Sequence, residues 1–207
     1  APESMRAGDG TSWAYFSTGE YAKADATWQR LPALSRRAPV APAKTVLPDG
    51  KVPGEVLVAA EFEAGTSRFN QKKYLEALEA YESFEKAHSG HALAVEAALQ
   101  AGWCYYRLEY YAQALKTWER VETSFSDSPQ ASKAAWAIAD TYFRAGKHEQ
   151  AIAAYERILQ KFPLDPAANY ARLRIAQSHY NAKNILPAVA SFESLVQTAP
   201  DSPEAAQ

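Results

Sequence analysis

Four segments of this chain align with one another without a gap: LEALEAYESFEKAHSGHALA from Leu75, AQALKTWERVETSFSDSPQA from Ala112, EQAIAAYERILQKFPLDPAA from Glu149 and LPAVASFESLVQTAPDSPEA from Leu186. A small residue recurs at Ala77, Ala114, Ala151 and Ala188, an interval of 37 residues each time. An aromatic follows four positions later at Tyr81, Trp118, Tyr155 and Phe192, and directly after it comes Glu82, Glu119, Glu156 and Glu193. A period of this length constrains the fold more than any other feature. Each unit is too small to bury its apolar face alone and must stack on its neighbours, which is the design of a solenoid.

Everything local reads as helix. Between the repeated segments lies a second helical one, for example SPQASKAAWAIADTYFRAG from Ser128, so a unit consists of helix A, a short turn such as AGKH, and helix B. Asp127-Ser128-Pro129, Asp165-Pro166 and Ser202-Pro203 place a capping side chain before a proline, whose missing N–H costs nothing in a first helical turn. They predict the starts of A helices. Pro163 and Pro200 fall where helix B must stop, because proline cannot continue a helix.

At the N-terminus, SWAYFSTGEYAKADATWQRL follows the same logic, with Gly19 at the turn, Ala24 at the small position and Trp28 after it. From there to Ala77 the interval exceeds one period, and the excess contains Pro32, Pro39, Pro42, Pro48 and Pro53. This predicts a divergent hairpin over 1–31, a proline-rich loop or linker over 32–55, four repeats over 56–202, and the truncated start of a further helix over 203–207. The chain does not begin with Met, and DSPEAAQ signals a helix start at its end, so an excised piece of a longer protein is expected.

Composition narrows the function. Of 207 residues 47% are hydrophobic and 22% charged, as in a folded globular chain, and the net charge of -2 lacks the basic excess of a nucleic-acid binder. The single cysteine, Cys104, permits no internal disulfide and no thiolate zinc cluster, and among Trp103, Tyr105 and Tyr106 it reads as a small packing residue. No apolar run is long enough to span a bilayer, and the N-terminus lacks the basic and apolar regions of a signal peptide. Glycine-rich phosphate loops, nucleophile elbows and H-E-x-x-H are absent, so neither an enzyme nor a cofactor is expected. His88 and His91 are spaced for a metal but have no further ligands nearby in sequence, and His179 reads as a satisfied core residue.

These residues resemble tetratricopeptide repeats. The likeness rests on Gly102-x2-Tyr105, Ala139-x2-Tyr142, the four Ala-x3-aromatic pairs and the terminal Pro163. It covers 56–200 well and 12–31 loosely. Arg68 and His179 stand where the pattern has Tyr, and three extra residues per unit fall in the DSP/LDP region. The resemblance implies an all-α fold, a right-handed α-solenoid of stacked antiparallel helix hairpins. The FP-x-D-P boundary is similar to repeats of bacterial cell-envelope proteins, such as the periplasmic protein associated with the Tol–Pal system and the lipoprotein of the barrel-assembly machine. That implies the periplasm or envelope, with the cytoplasm as the alternative.

Ala101/Tyr105, Ile138/Tyr142 and Ile175/His179 are expected to form a stripe that meets helix B of the same unit. A second stripe comprises Phe62, Thr66 and Phe69, then Leu99, Trp103 and Tyr106, then Trp136, Asp140 and Phe143, then Leu173, Gln177 and Tyr180. In the family that face lines a concave groove. Beside it run Asn70, Arg107, Arg144 and Asn181, one donor per unit. Arg grips carboxylates in two-pronged fashion and aromatics anchor interfaces, so the expected function is a non-catalytic scaffold that holds a protein or peptide segment in the groove. Packing of helix A on helix A is the competing role for the aromatics. The alternative functions are the helical arm of a larger glycan-cleaving envelope enzyme, or a self-assembly module.

Overall fold

The computed structural model describes residues 53–163 and 165–206, together with Lys23 and Ala26, which are helical and exposed. The predicted N-terminal hairpin and most of the proline-rich segment otherwise lie outside the described residues. Within 53–163 and 165–206 there are eight α-helices and no strand: α1 Pro53–Asn70, α2 Tyr74–Ala87, α3 Ala92–Arg107, α4 Tyr111–Ser124, α5 Pro129–Arg144, α6 His148–Lys161, α7 Ala168–Asn181 and α8 Ile185–Thr198. Odd-numbered helices are A helices and even-numbered ones are B helices. The chain divides into two compact units, Ala1–Ala114 and Leu115–Gln207.

Each A-to-B turn is the same device. After helix A the chain passes through one left-handed residue, Lys72 at φ 63, Glu109 at φ 64, Gly146 at φ 69 and Lys183 at φ 62. In every case that residue's N–H bonds back to the carbonyl three before it, and the next N–H reaches the carbonyl five before it, as in Lys183 to Tyr180 and Asn184 to His179, each at 2.9 Å. This is the Schellman arrangement, which satisfies carbonyls that the helix end would orphan. Only Gly146 adopts it without a side-chain penalty. Lys183→Gly is therefore expected to stabilise the second unit by about 0.5–1 kcal/mol, the left-handed penalty less glycine's extra chain entropy. Chemical denaturation checks it, and an unchanged or lower midpoint would refute it.

Helix starts follow local chemistry. Ser128 caps α5, its Oγ accepting from Ala131 N–H at 3.3 Å, and His91 caps α3 through Nδ1 on Leu93 N–H at 3.1 Å. Asp165 departs from expectation: α7 begins at Ala168, after a turn in which the Asp165 carboxylate accepts from Ala167 N–H at 2.8 Å. The proline thus lies in the approach to the helix. Of the two histidines spaced for a metal, His91 caps α3 and His88 Nε2 lies 2.7 Å from Glu61 Oε2.

In the first unit Phe62, Ala77, Leu78, Tyr81, Phe84, Ala97, Ala101 and Cys104 form one buried core. Gly65 shows why the position 37 residues before Gly102 is small: a Cβ there would lie 2.9 Å from the Tyr81 ring. In the second unit Ala135, Ala139, Ala151, Ala154, Tyr155, Ile158, Ala171 and Ile175 make the equivalent core. Burial pushes the Cys104 thiol up to about 12, with Glu82 adding to the effect, which suits a packing residue and not a nucleophile.

One register expectation needs correction. Ala101 and Tyr105 meet the preceding repeat's helix B: Ala101 joins the α1–α2 core, and Tyr105 donates its hydroxyl to Glu82 Oε1 on α2 at 2.7 Å. Ile175 likewise joins the α5–α6 core. The reason is steric. The side of helix A bearing Ala97, Ala101 and Cys104 lets two backbones approach closely, while the side bearing Gly65 and Thr66 faces the aromatic of its own helix B. His179 also differs from expectation, because its buried Nδ1 has no hydrogen-bond partner.

Candidate functional site

The second helix A stripe divides into an inner and an outer part. Its inner positions hold the aromatic of the same repeat. Tyr81 Oη donates to Thr66 Oγ1 at 3.2 Å in the first unit, and Tyr155 Oη donates to Asp140 Oδ1 in the second. Burial, and then the bond to Asp140, push the Tyr155 hydroxyl well above the usual range, so it stays protonated as a donor.

In the first unit the expected site residues make local aromatic contacts. Phe69 packs on Tyr74 with ring centroids 5.4 Å apart, Trp103 on Tyr106 at 5.8 Å, and Tyr106 on Tyr111 at 5.4 Å. Asn70 and Arg107 are exposed. The surroundings are acidic. Glu63, half-buried, has its carboxyl raised above the usual range by burial, and Glu96 accepts from Gln100 Nε2 at 2.9 Å.

The second unit gathers more. Trp136, Asp140 and Phe143 on α5 lie together with Tyr170, Arg174 and Gln177 on α7. Trp136 packs on Tyr155 at 6.0 Å and on Tyr170 at 5.8 Å. The Arg174 guanidinium lies 4.5 Å from the Phe143 ring centroid and 4.7 Å from that of Tyr170, and its Nη1 donates to Gln177 Oε1 at 3.0 Å. Its Nε is buried without a hydrogen-bond partner, and Arg174 forms no ion pair with a described carboxylate. A cation so placed is partly desolvated and oriented by two rings. Arg144, Tyr180 and Asn181 are exposed.

Asp165 braces the wall from below. Its Oδ2 accepts from the Trp136 indole at 3.0 Å and from Ser132 at 3.1 Å. Burial raises this carboxyl, but hydrogen bonds from Trp136, Ala167 N–H and Ser132 outweigh it and hold the group below its ordinary value. The Trp136 ring is thereby fixed in orientation.

The structure brings Trp136, Asp140, Phe143 and Gln177, expected from the sequence, together with Tyr170 and Arg174, which the repeat pattern does not single out. That pair carries a signal of its own, an aromatic and an arginine at i and i+4 on one helix. Column comparison passes over it, because the positions 37 residues earlier hold Lys133 and Ala137. Among the described residues there is no group of three or more His, Cys, Asp or Glu that could hold a metal, and no helix long and apolar enough to cross a membrane.

The sequence profile of the tetratricopeptide repeat matches residues 62–129, 105–166 and 137–203, most of the chain. The chain belongs to the tetratricopeptide repeat family. Among solved structures it is similar to a tetratricopeptide repeat protein from Parabacteroides merdae ATCC 43184, with 20% identity and a TM-score of 0.66 over 97% of this chain and 68% of that one. MamA is similar at 15% identity and a TM-score of 0.68, over 95% of this chain and 92% of that one. YrrB, a tetratricopeptide repeat protein with an unusual peptide-binding site, is similar at 16% identity and a TM-score of 0.59, over 94% and 86%. At such identities the likeness establishes the fold. No curated protein matches by sequence.

Proposed function

We propose that this protein is a non-catalytic scaffold that binds an extended protein or peptide segment along the exposed faces of its A helices α5 and α7, and that the segment carries acidic residues. The observation that carries the reading is Arg174, a guanidinium lying over the rings of Phe143 and Tyr170 that forms no ion pair with a described carboxylate. A guanidinium held in that way is set to receive a carboxylate through charge-assisted, two-pronged hydrogen bonds. Trp136, Phe143 and Tyr170 offer apolar surface for the residues flanking it. Arg144, exposed on α5 of the same unit, adds a further donor. The tetratricopeptide fold suits such a role, since stacked hairpins present side chains at regular intervals to an extended ligand.

Selection from a random peptide library displayed against the protein tests this directly. Selected peptides are expected to be enriched in Asp or Glu next to apolar residues, and their affinity to fall several-fold when Arg144 is changed to Ala and Arg174 to Gln. Enrichment without acidic residues, or affinity indifferent to the double change, would sink the reading.

A further inference from the structure

Trp136, Asp140 and Phe143 on α5 and Tyr170, Arg174 and Gln177 on α7 share the spacing i, i+4, i+7. The two stripes touch in two places. Trp136 packs on Tyr170 with ring centroids 5.8 Å apart, and the Phe143 ring centroid lies 4.5 Å from the Arg174 guanidinium. Asp140 stands between these contacts on α5, about one turn from each, and is half-buried.

The carboxylate is only partly used. A carboxylate offers about four acceptor sites, and Tyr155 Oη, a neutral donor, takes one of them through Oδ1. Asp140 forms no ion pair with a described cation, just as Arg174 forms none with a described carboxylate. Burial and the bond to Asp140 raise the Tyr155 hydroxyl while the Arg174 charge lowers it, so both charges act on one atom. Opposite charges that are partly desolvated attract one another strongly. Here they stay unpaired: the guanidinium is engaged by Phe143, Tyr170 and Gln177, and the carboxylate by Tyr155.

We propose that Asp140 is a specificity-determining residue that receives a basic side chain of the bound segment, so that the segment carries a Lys or Arg close to the acidic residue held by Arg174. The inference rests on the binding reading above and adds a second, opposite charge to it. Trp136, one turn before Asp140 and packed on Tyr170, offers ring surface along which the aliphatic stem of such a residue lies and to which its cation is attracted. A wholly acidic segment would set like charge against Asp140. The site thus selects a mixed-charge segment and rejects a polyacidic one.

The probe is a set of labelled synthetic nonapeptides with Glu at the centre, Leu on either side of it, Gly elsewhere, and a single Lys, norleucine or Glu placed at each remaining position in turn. Affinities for the 207-residue protein are read by fluorescence anisotropy. At a preferred position Lys is expected to bind at least about fivefold more tightly than norleucine, and Glu more weakly than norleucine. Asp140→Asn keeps an oxygen acceptor for Tyr155, so it is expected to melt near wild type and to bind the Lys and norleucine peptides equally. The absence of any position that favours Lys overturns the proposal. A Lys preference that survives Asp140→Asn overturns it as well, and assigns the cation to the ring faces alone. Changing the central Glu to Gln tests Arg174 separately. Binding that needs the Glu but is indifferent to Lys overturns this inference and leaves the acidic-segment reading standing, whereas binding indifferent to the Glu sinks that reading and this inference with it.

Discussion

Ala151→Arg is expected to destabilise the second unit by roughly 3–5 kcal/mol, the sum of overpacking a filled contact and burying an unpaired charge. Ala151 has no exposed surface and lies in the core shared by α5, α6 and α7 with Ala135, Ala139 and Tyr155. The guanidinium has nowhere to go without separating helices. Because the side chain of Ala in a helix is replaced by another good helix former, propensity contributes almost nothing and the effect isolates packing. Ala153→Arg, two residues along the same helix at an exposed position, is the matched control and is expected to melt within about 0.5 kcal/mol of wild type. Thermal unfolding followed by far-ultraviolet circular dichroism checks both. Stacked repeats couple mainly to their neighbours, so the loss appears as an earlier, separate transition of the second unit as well as a lowered midpoint. A melt of Ala151→Arg that superposes on wild type would mean that the repeat register is wrong.

That register was legible in the sequence because the residues that set it are those every repeat needs. Ala77, Ala114, Ala151 and Ala188 are all buried, and so are Tyr81, Trp118 and Tyr155. What was not legible was direction around the helix A axis. Ala101 and Tyr105 share a periodicity with Thr66 and Phe69, and a helical period alone does not say which neighbour a stripe meets. Distinguishing the two takes the size of the residues: a stripe of Ala and Cys tolerates a close backbone, whereas Gly65 makes room for one ring. The left-handed turn residues were equally hidden at three of four sites, since Lys72, Glu109 and Lys183 stand where only Gly146 advertises the conformation. Around α5 and α7, the residues that share a column with other repeats were expected from the sequence, whereas Tyr170 and Arg174 were not, because the positions 37 residues earlier hold Lys133 and Ala137.

Arg174→Glu is expected to abolish binding of peptides selected on the wild-type protein. Replacing the charge-assisted contact, worth roughly 1.5–3 kcal/mol, already corresponds to about 10–100-fold in affinity, and repulsion between carboxylates adds to it. Arg174→Gln separates recognition from damage, because it keeps a donor able to reach Gln177 and introduces no charge. It is expected to weaken binding within the same range while the melt stays near wild type, whereas Arg174→Lys is expected to rescue only part, since an ammonium cannot stack on Phe143 and Tyr170 as a planar guanidinium does. Tyr155→Phe removes the hydrogen bond that Tyr155 donates to Asp140 and is expected to cost about 1 kcal/mol in stability. Equal affinity of wild type and Arg174→Gln, measured by calorimetry on one selected peptide, would show that the acidic residue is held elsewhere on the A helices.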